Sequence, residues 1–200
     1  MSAQASPRYA LSFTNGGLLV REAAVVAPLY KEHRDWVKVR DLAVDKNLLQ
    51  ARAYRTSVRS VRETVKRMSA LSDREVEIVA DGTSTERGHL MWVAACRRYD
   101  LVGEFAEEVL RERFLTLAGA VSHEDYDSFY RAKALWHDEL NAVSDTTYKK
   151  LRQVLFKMLT DAELLTAQGQ IEPAMMSTRV AECLNEHAPS DVRFFPTRLV

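Results

Sequence analysis

QARAYRTSVRSVRETVKRMS, residues 50–69, is the stretch from which the rest of the chain is read. Arg52, Arg55, Arg59, Arg62 and Lys66 recur at steps of three, four, three and four residues. At ~100° per residue they fall within an ~80° stripe on one side of a helix. Tyr54, Val58, Val61, Val65 and Met68 line a second side, at the spacing of a face buried against a core. Like charges at i,i+3 and i,i+4 cost ~0.2–0.5 kcal/mol per pair, and the stripe contains four such pairs. A helix needing only solubility alternates signs; here Glu63 is the single acid between Arg59 and Arg67. A row of guanidinium groups on a stiff rod of ~30 Å suits a row of phosphates. The competing reading is a solvated basic face that happens to be periodic.

Outward from this helix, the charge is unevenly spread. The 28 Lys/Arg and 28 Asp/Glu cancel over the 200 residues. Residues 1–67 nevertheless hold 13 basic against 6 acidic side chains, and residues 68–145 hold 8 against 16. Residues 146–168 return to 4 against 2, and the remainder has 3 against 4. Such segregation concerns partners more than fold. A hydrophobic content of 46% suffices for a sizeable core. Cys96 and Cys183 are too few and too far apart for a disulfide framework or a zinc motif, and Cys96 reads as a buried thiol. No signal peptide and no apolar run approaching ~18 residues is found, so a cytoplasmic protein with no membrane contact is expected.

Taken in order, residues 1–7 read as a loose arm, and Gly16-Gly17 as a tight turn before a helix from Leu18 to about His33. Pro28 should kink or split that helix. Asp35 caps a second helix ending near Asn47, and the basic helix follows. Helix, turn, basic helix is the outline of a helix-turn-helix, although Lys46 stands where a buried residue is usual. Ser72-Asp73-Arg74-Glu75 is a capping box. Further helices are expected at Glu86–Tyr99, which Arg97 and Arg98 end, and at Glu104–Ala118, with Gly103 as a separator. Ser122 opens a helix to about Val143, with Tyr126, Phe129, Tyr130, Ala132 and Trp136 on its apolar side. Ser144 caps Asp145–Leu159, which carries Lys149, Lys150, Arg152 and Lys157 on other parts of its surface. Leu164 to Ile171 reads as a short β-hairpin, so the C-terminal part is winged-helix-like, or else a bundle that the hairpin merely closes. A short helix Thr178–Glu186 follows, and Phe194 and Phe195 fold the tail back. The fold class is therefore mostly α. It divides into a basic, helix-turn-helix-like part (1–72), acidic connecting helices (73–121) and a C-terminal helical part with a small wing (122–200).

Sites for chemistry are lacking. No GxxxxGK[ST], GxGxxG, GxSxG or HExxH is present. His123-Glu124-Asp125 and His137-Asp138-Glu139 are the only tempting clusters, and neighbours on a helix point in different directions. No enzyme activity, cofactor or metal is expected.

The stretches LSFTNGGLLVREAA (11–24), NLLQARAYRT (47–56), WVAACRRYDLVGEFAEEVLRERFL (92–115), HEDYDSFYRAKALWHDEL (123–140) and KKLRQVLFKMLTDAELL (149–165) resemble the BrxA family of BREX, or bacteriophage exclusion, defence islands. The resemblance covers most of the chain in the same order. It implies an all-helical fold with a small wing and a non-enzymatic, DNA-binding role. It also implies partners among the other BREX proteins, including a site-specific DNA methyltransferase. Double-stranded DNA is then the expected ligand, held through its backbone by Arg52, Arg55, Arg59, Arg62, Lys66 and Arg67. Lys149, Lys150, Arg152 and Lys157 would form a second contact surface, and Gln50, Thr56, Thr147 and Gln153 are the candidates for reading bases. The alternative is a protein–protein adaptor using the basic and acidic segments, with self-association as one form of it.

Overall fold

Five of the α-helices begin where a short polar side chain (Asp35, Ser72, Thr83, Ser122 or Ser144) satisfies their first N–H groups. The computed structural model describes residues 8–14 and 16–198; the expected arm at residues 1–7 lies outside them. The helices are α1 (Val20–His33), α2 (Trp36–Asp45), α3 (Tyr54–Met68), α4 (Asp73–Asp81), α5 (Ser84–Arg98) and α6 (Asp100–Phe105). A π-helical segment, Ala106–Arg111, joins α6 to α7 (Glu112–Leu115). Then come α8 (His123–Ala134), α9 (Asp138–Asn141), α10 (Asp145–Asp161), α11 (Thr178–Asn185) and a 3-10 turn, Asp191–Phe194. Asp35 caps α2 by accepting from Val37 and Lys38, and Ser144 caps α10. Reciprocal capping boxes start α4 (Ser72 and Glu75), α5 (Thr83 and Glu86) and α8 (Ser122 and Asp125).

Helix α5 is the axis of the molecule. Every residue from Gly88 to Cys96 is buried, and α1, α3, α4, α6, α10 and α11 all pack against it. An apolar helix wrapped on all sides buries its whole circumference, at about 1.5–3 kcal/mol per large side chain. One hydrophobic cluster runs from Tyr9 to Phe195. The tail does return to the body: Phe194 and Phe195 are buried, and the Trp92 indole N–H donates to the Phe194 carbonyl at 2.9 Å.

Three arginines lock the capping boxes to other elements. Arg97, at the end of α5, donates to both oxygens of Glu75 (2.6 and 2.8 Å), to Asp191 (2.7 Å) and to the Ala70 carbonyl (2.9 Å). Arg179 of α11 donates to both oxygens of Glu86 (2.7 and 2.5 Å), which also accepts from Ser177. Arg113 of α7 reaches Asp125 and the Ala120 carbonyl.

Several expectations need correction. α1 begins at Val20, because Leu19 adopts a left-handed conformation (φ 63°), and it continues uninterrupted through Pro28, which faces solvent. Gly103 is not a separator. It lies inside α6, where a β-carbon would stand 3.0 Å from the Cys96 carbonyl oxygen, so glycine there permits close approach rather than a break. The helix opened by Ser122 stops at Ala134; Asn141 donates to the Ala134 carbonyl and Tyr130 to that of Leu140, folding the chain back through Leu135–His137. Trp136 is consequently not core but 82% exposed. No strand forms among the described residues. The expected hairpin is reduced to isolated antiparallel bridges, Leu165 with Ile171 and Ala120 with Gln170. Residues 164–172 fold back on themselves, Thr166 donating to the Gln170 carbonyl at 2.9 Å and Glu172 to that of Leu164 at 3.0 Å, and are tied to residues 119–121. Val121 donates to Gly169 and Ile171 to Gly119, both at 2.9 Å, and Leu164, Leu165 and Val121 are buried beneath. The connection 46–53 between α2 and α3 is also longer than the ~3–4-residue turn of a helix-turn-helix. Asn47 (φ 42°) organises it, its side chain bonding both the N–H and the carbonyl of Ala51.

Glu75 is fully buried. Burial alone would raise its pKa, but the bonds from Arg97 and Ser72 outweigh that and hold it below the usual carboxylate value. Its folded pKa being the lower one, its contribution to stability is complete above the unfolded value of about 4.3 and fades as pH falls beneath it. Arg97→Ala strands the Glu75 charge in the core and is expected to cost about 3–5 kcal/mol at neutral pH. The gap in denaturant midpoint between this variant and the unaltered protein should narrow as urea titrations are moved into the acid range.

Candidate nucleic-acid interface

Helix α3 starts at Tyr54, because Gln50 takes a left-handed conformation (φ 51°) and Ala53 is extended. The basic rod is thus shorter than residues 50–69 suggest, and Arg52 sits in the connection before it. Val61, Val65 and Met68 are buried, as their spacing requires. Arg55, Arg59 and Arg62 are exposed on the helix, and so is Arg52 just ahead of it. Among the described residues, the side chains of Arg52, Arg55 and Arg62 form no hydrogen bond or ion pair. Lys66 is half-buried; its ammonium donates to Ser12 at 2.8 Å and lies 5.3 Å from the Tyr99 ring centre. Burial, and then the charge of Arg98, push its pKa down.

Glu63, the one acid of α3, is turned to internal use. Its Oε1 accepts from Arg67 Nε (2.8 Å) and from the Tyr99 hydroxyl (2.6 Å). Burial, followed by this bond, pushes the Tyr99 pKa up to about 12. Arg67 therefore departs from the expected role. It is fully buried, with Nη1 donating to the Gly17 carbonyl at 2.8 Å and lying 3.6 Å from the Met158 sulfur. The reason is angular: at ~100° per residue, Arg67 falls about 100° from Lys66 and off the stripe. The Gly16-Gly17 turn bends as expected, with Gly16 at φ +70°, and a β-carbon on Gly17 would collide with Asp161. The Leu18 N–H after it binds that same carboxylate at 2.9 Å.

The α10 cations are dispersed. Lys149 and Lys150 are exposed, the latter donating to Gln153. Arg152 binds both oxygens of Asp127 at 2.7 and 2.9 Å, so its charge is compensated within the fold. Lys157 pairs with Asp161 at 2.9 Å and lines a different groove, beside Gly16 and Gly17. Of the candidate base readers, Gln50, Thr56 and Gln153 are exposed, and Thr147 is half-buried at the start of α10.

The exposed side of α3 borders a groove of about 520 Å³ lined by Tyr54, Arg55, Val58, Arg59, Arg62 and Lys66, together with Ser12 and Glu63. Tyr54, assigned to the core side by its spacing, is 71% exposed here. Its position at the first turn, beyond the end of the packed face, is the signal that distinguishes it from Val61 and Val65. Arg98, at the end of α5, is a further cation close to Lys66, with its guanidinium 5.7 Å from the Tyr99 ring.

Among the described residues no group of three or more His, Cys, Asp or Glu could hold a metal ion. The His123 ring packs edge-on against Phe156, and His137 lies over Tyr9 with Nδ1 3.2 Å from Glu139. Cys96 is buried, and burial raises its thiol pKa well above the ordinary value. No described helix is long and apolar enough to cross a membrane.

A protein-family profile described as BrxA matches residues 7–188. A BREX protein BrxA from Escherichia coli is 26% identical over 147 residues, covering 74% of this chain and 69% of its own length. Another, from Paramagnetospirillum magneticum, is 24% identical over 163 residues and covers 81% of each chain. A crystal structure of an uncharacterized protein from Magnetospirillum magneticum superimposes with a TM-score of 0.77 at 19% identity, over 95% of this chain and 98% of that one. At that identity the likeness establishes the fold alone.

The two kinds of arginine on α3 should separate cleanly by mutation. Arg67→Met, which leaves Glu63 with the Tyr99 hydroxyl but without its cationic partner, is expected to destabilise the protein by about 3–5 kcal/mol. Arg62→Ala should stay within about 0.5 kcal/mol of the unaltered protein. Urea titration followed by circular dichroism measures both.

Proposed function

The chain belongs to the BrxA family of BREX phage-defence proteins, and from that premise we propose that it is a non-enzymatic, cytoplasmic component that binds duplex DNA through the phosphate backbone. The single observation behind this reading is the contrast between two sets of arginines. Arg67, Arg97, Arg113, Arg152 and Arg179 are each bound by a carboxylate of the same chain. Arg52, Arg55 and Arg62 are exposed and have no such carboxylate among the described residues, and on α3 Arg55, Arg59, Arg62 and Lys66 stand at steps of four, three and four residues, where like charges cost stability. Cations gathered at a cost and left uncompensated suit a polyanion. Most of the contacts are to phosphate, and sequence preference is slight. Other BREX proteins are its partners, with α3 facing DNA.

A second reading, a protein–protein adaptor, draws on a surface of opposite sign. Asp100, Glu104 and Glu108 share a groove with the exposed Trp136 and with Lys133, whose ammonium pairs with Glu104 and Glu108, so that acids outnumber the one cation there. A salt-sensitive self-association in sedimentation velocity would favour this reading, since complementary basic and acidic faces would then join copies.

With Arg52, Arg55, Arg59, Arg62 and Lys66 each neutralising one phosphate, log K should fall with log salt at a slope of about −4 to −5. Replacing Arg55, Arg59 and Arg62 together with alanine should reduce the slope to about −2 while leaving the folded signal unchanged. Fluorescence anisotropy on labelled duplex over a salt series measures it, and an unchanged slope would reject this face as the site.

A further inference from the structure

Resting on the DNA-binding reading above, we propose that the groove beside α3 takes an unpaired base against Tyr54, so that DNA bearing an unpaired nucleotide is bound in preference to intact duplex.

Tyr54 opens α3 and is 71% exposed, and among the described residues its side chain has no ring, hydrogen-bond or cation–π partner. Val58, one turn on and half-buried, lies beside it on the helix surface and lines the same groove. Farther along that side, Val61, Val65 and Met68 are buried. The apolar side of α3 therefore runs out of the core and ends in an uncovered aromatic ring. Binding of phosphates alone has no use for such a surface.

The cations stand next to it. Arg55, Arg59, Arg62 and Lys66 line the same groove, displaced around the helix from Tyr54 and Val58. A basic track beside an aromatic platform is how proteins hold strands with unstacked bases: phosphates follow the cations and a base lies on the ring. Because every base has a π-face, this mode tolerates any sequence, in keeping with the few polar side chains available on α3 for reading base edges. The volume, about 520 Å³, lies within the range of small-molecule sites and can admit a nucleotide. The one acid in the lining, Glu63, does not repel it strongly, since its carboxylate is held by Arg67 and Tyr99.

The test compares three fluorescently labelled probes by anisotropy: an intact duplex, the same duplex interrupted by a short single-stranded gap, and the gapped strand alone. The unaltered protein should hold the gapped duplex roughly tenfold tighter than the intact one. Tyr54→Ala should abolish that preference while changing intact-duplex affinity less than about twofold, and Tyr54→Phe, which keeps the ring, should retain it. Tyr54 is exposed, so neither substitution disturbs packing, and circular dichroism checks this directly. Equal binding of gapped and intact duplex, or a preference that survives Tyr54→Ala, overturns the inference and leaves the backbone-binding reading standing. Failure of all three probes to bind overturns both.

Discussion

The fold depends on capping carboxylates that serve twice. In a capping box the acid at the third helical position satisfies the N–H ahead of the helix, a local matter worth around 1 kcal/mol. Here Glu75, Glu86 and Asp125 each do this and each also receives an arginine from elsewhere in the chain. The start of α4 is tied to the end of α5, the start of α5 to α11, and the start of α8 to α7. A buried ion pair adds little net stability by itself, but removing either partner is expensive. These pairs therefore fix which helix end meets which, while the apolar surface around α5 provides the driving force.

This arrangement also sorts the charges. A net charge of +0 conceals two populations of basic side chains, one consumed by internal carboxylates and one presented to the outside. The acidic excess in residues 68–145 partly reflects the first population, because Glu75, Glu86 and Asp125 lie there. On α3 the single acid is occupied with Arg67 and Tyr99, and the stripe beside it is left strongly positive.

How far the sequence reveals this depends on the range of the interactions involved. Four helix starts are legible from their caps, since Asp35, Ser72, Ser122 and Ser144 act within a few residues of themselves. So is the inward face of α10, where Leu151, Val154, Leu155, Met158 and Leu159 are all buried. What escapes is set by distant contacts. Arg67 differs from Arg62 only by its angle around the helix, and its interior position appears once Gly17 and Met158 are seen to lie against that flank. Arg152 has no acid at helical spacing on its own helix; Asp127 comes from α8. Gly103 reads as a break because the sequence does not show the Cys96 carbonyl pressing on it. The turn signals in residues 164–172 do mark a place where the chain doubles back, but the bonds from 119–121 that join it come from far away in the sequence. For the candidate site, the exposed arginines of α3 follow from periodicity, whereas the exposure of Tyr54 follows from where the packed face stops.

The bond from Trp92 to the Phe194 carbonyl bears on how the molecule is completed during synthesis. Helix α5 can form early, but one side of its largest side chain stays uncovered until residues 191–195 have left the ribosome. Shortening the chain before Asp191 would leave the Trp92 indole N–H without this partner and uncover the side of α5 that Phe194 and Phe195 close.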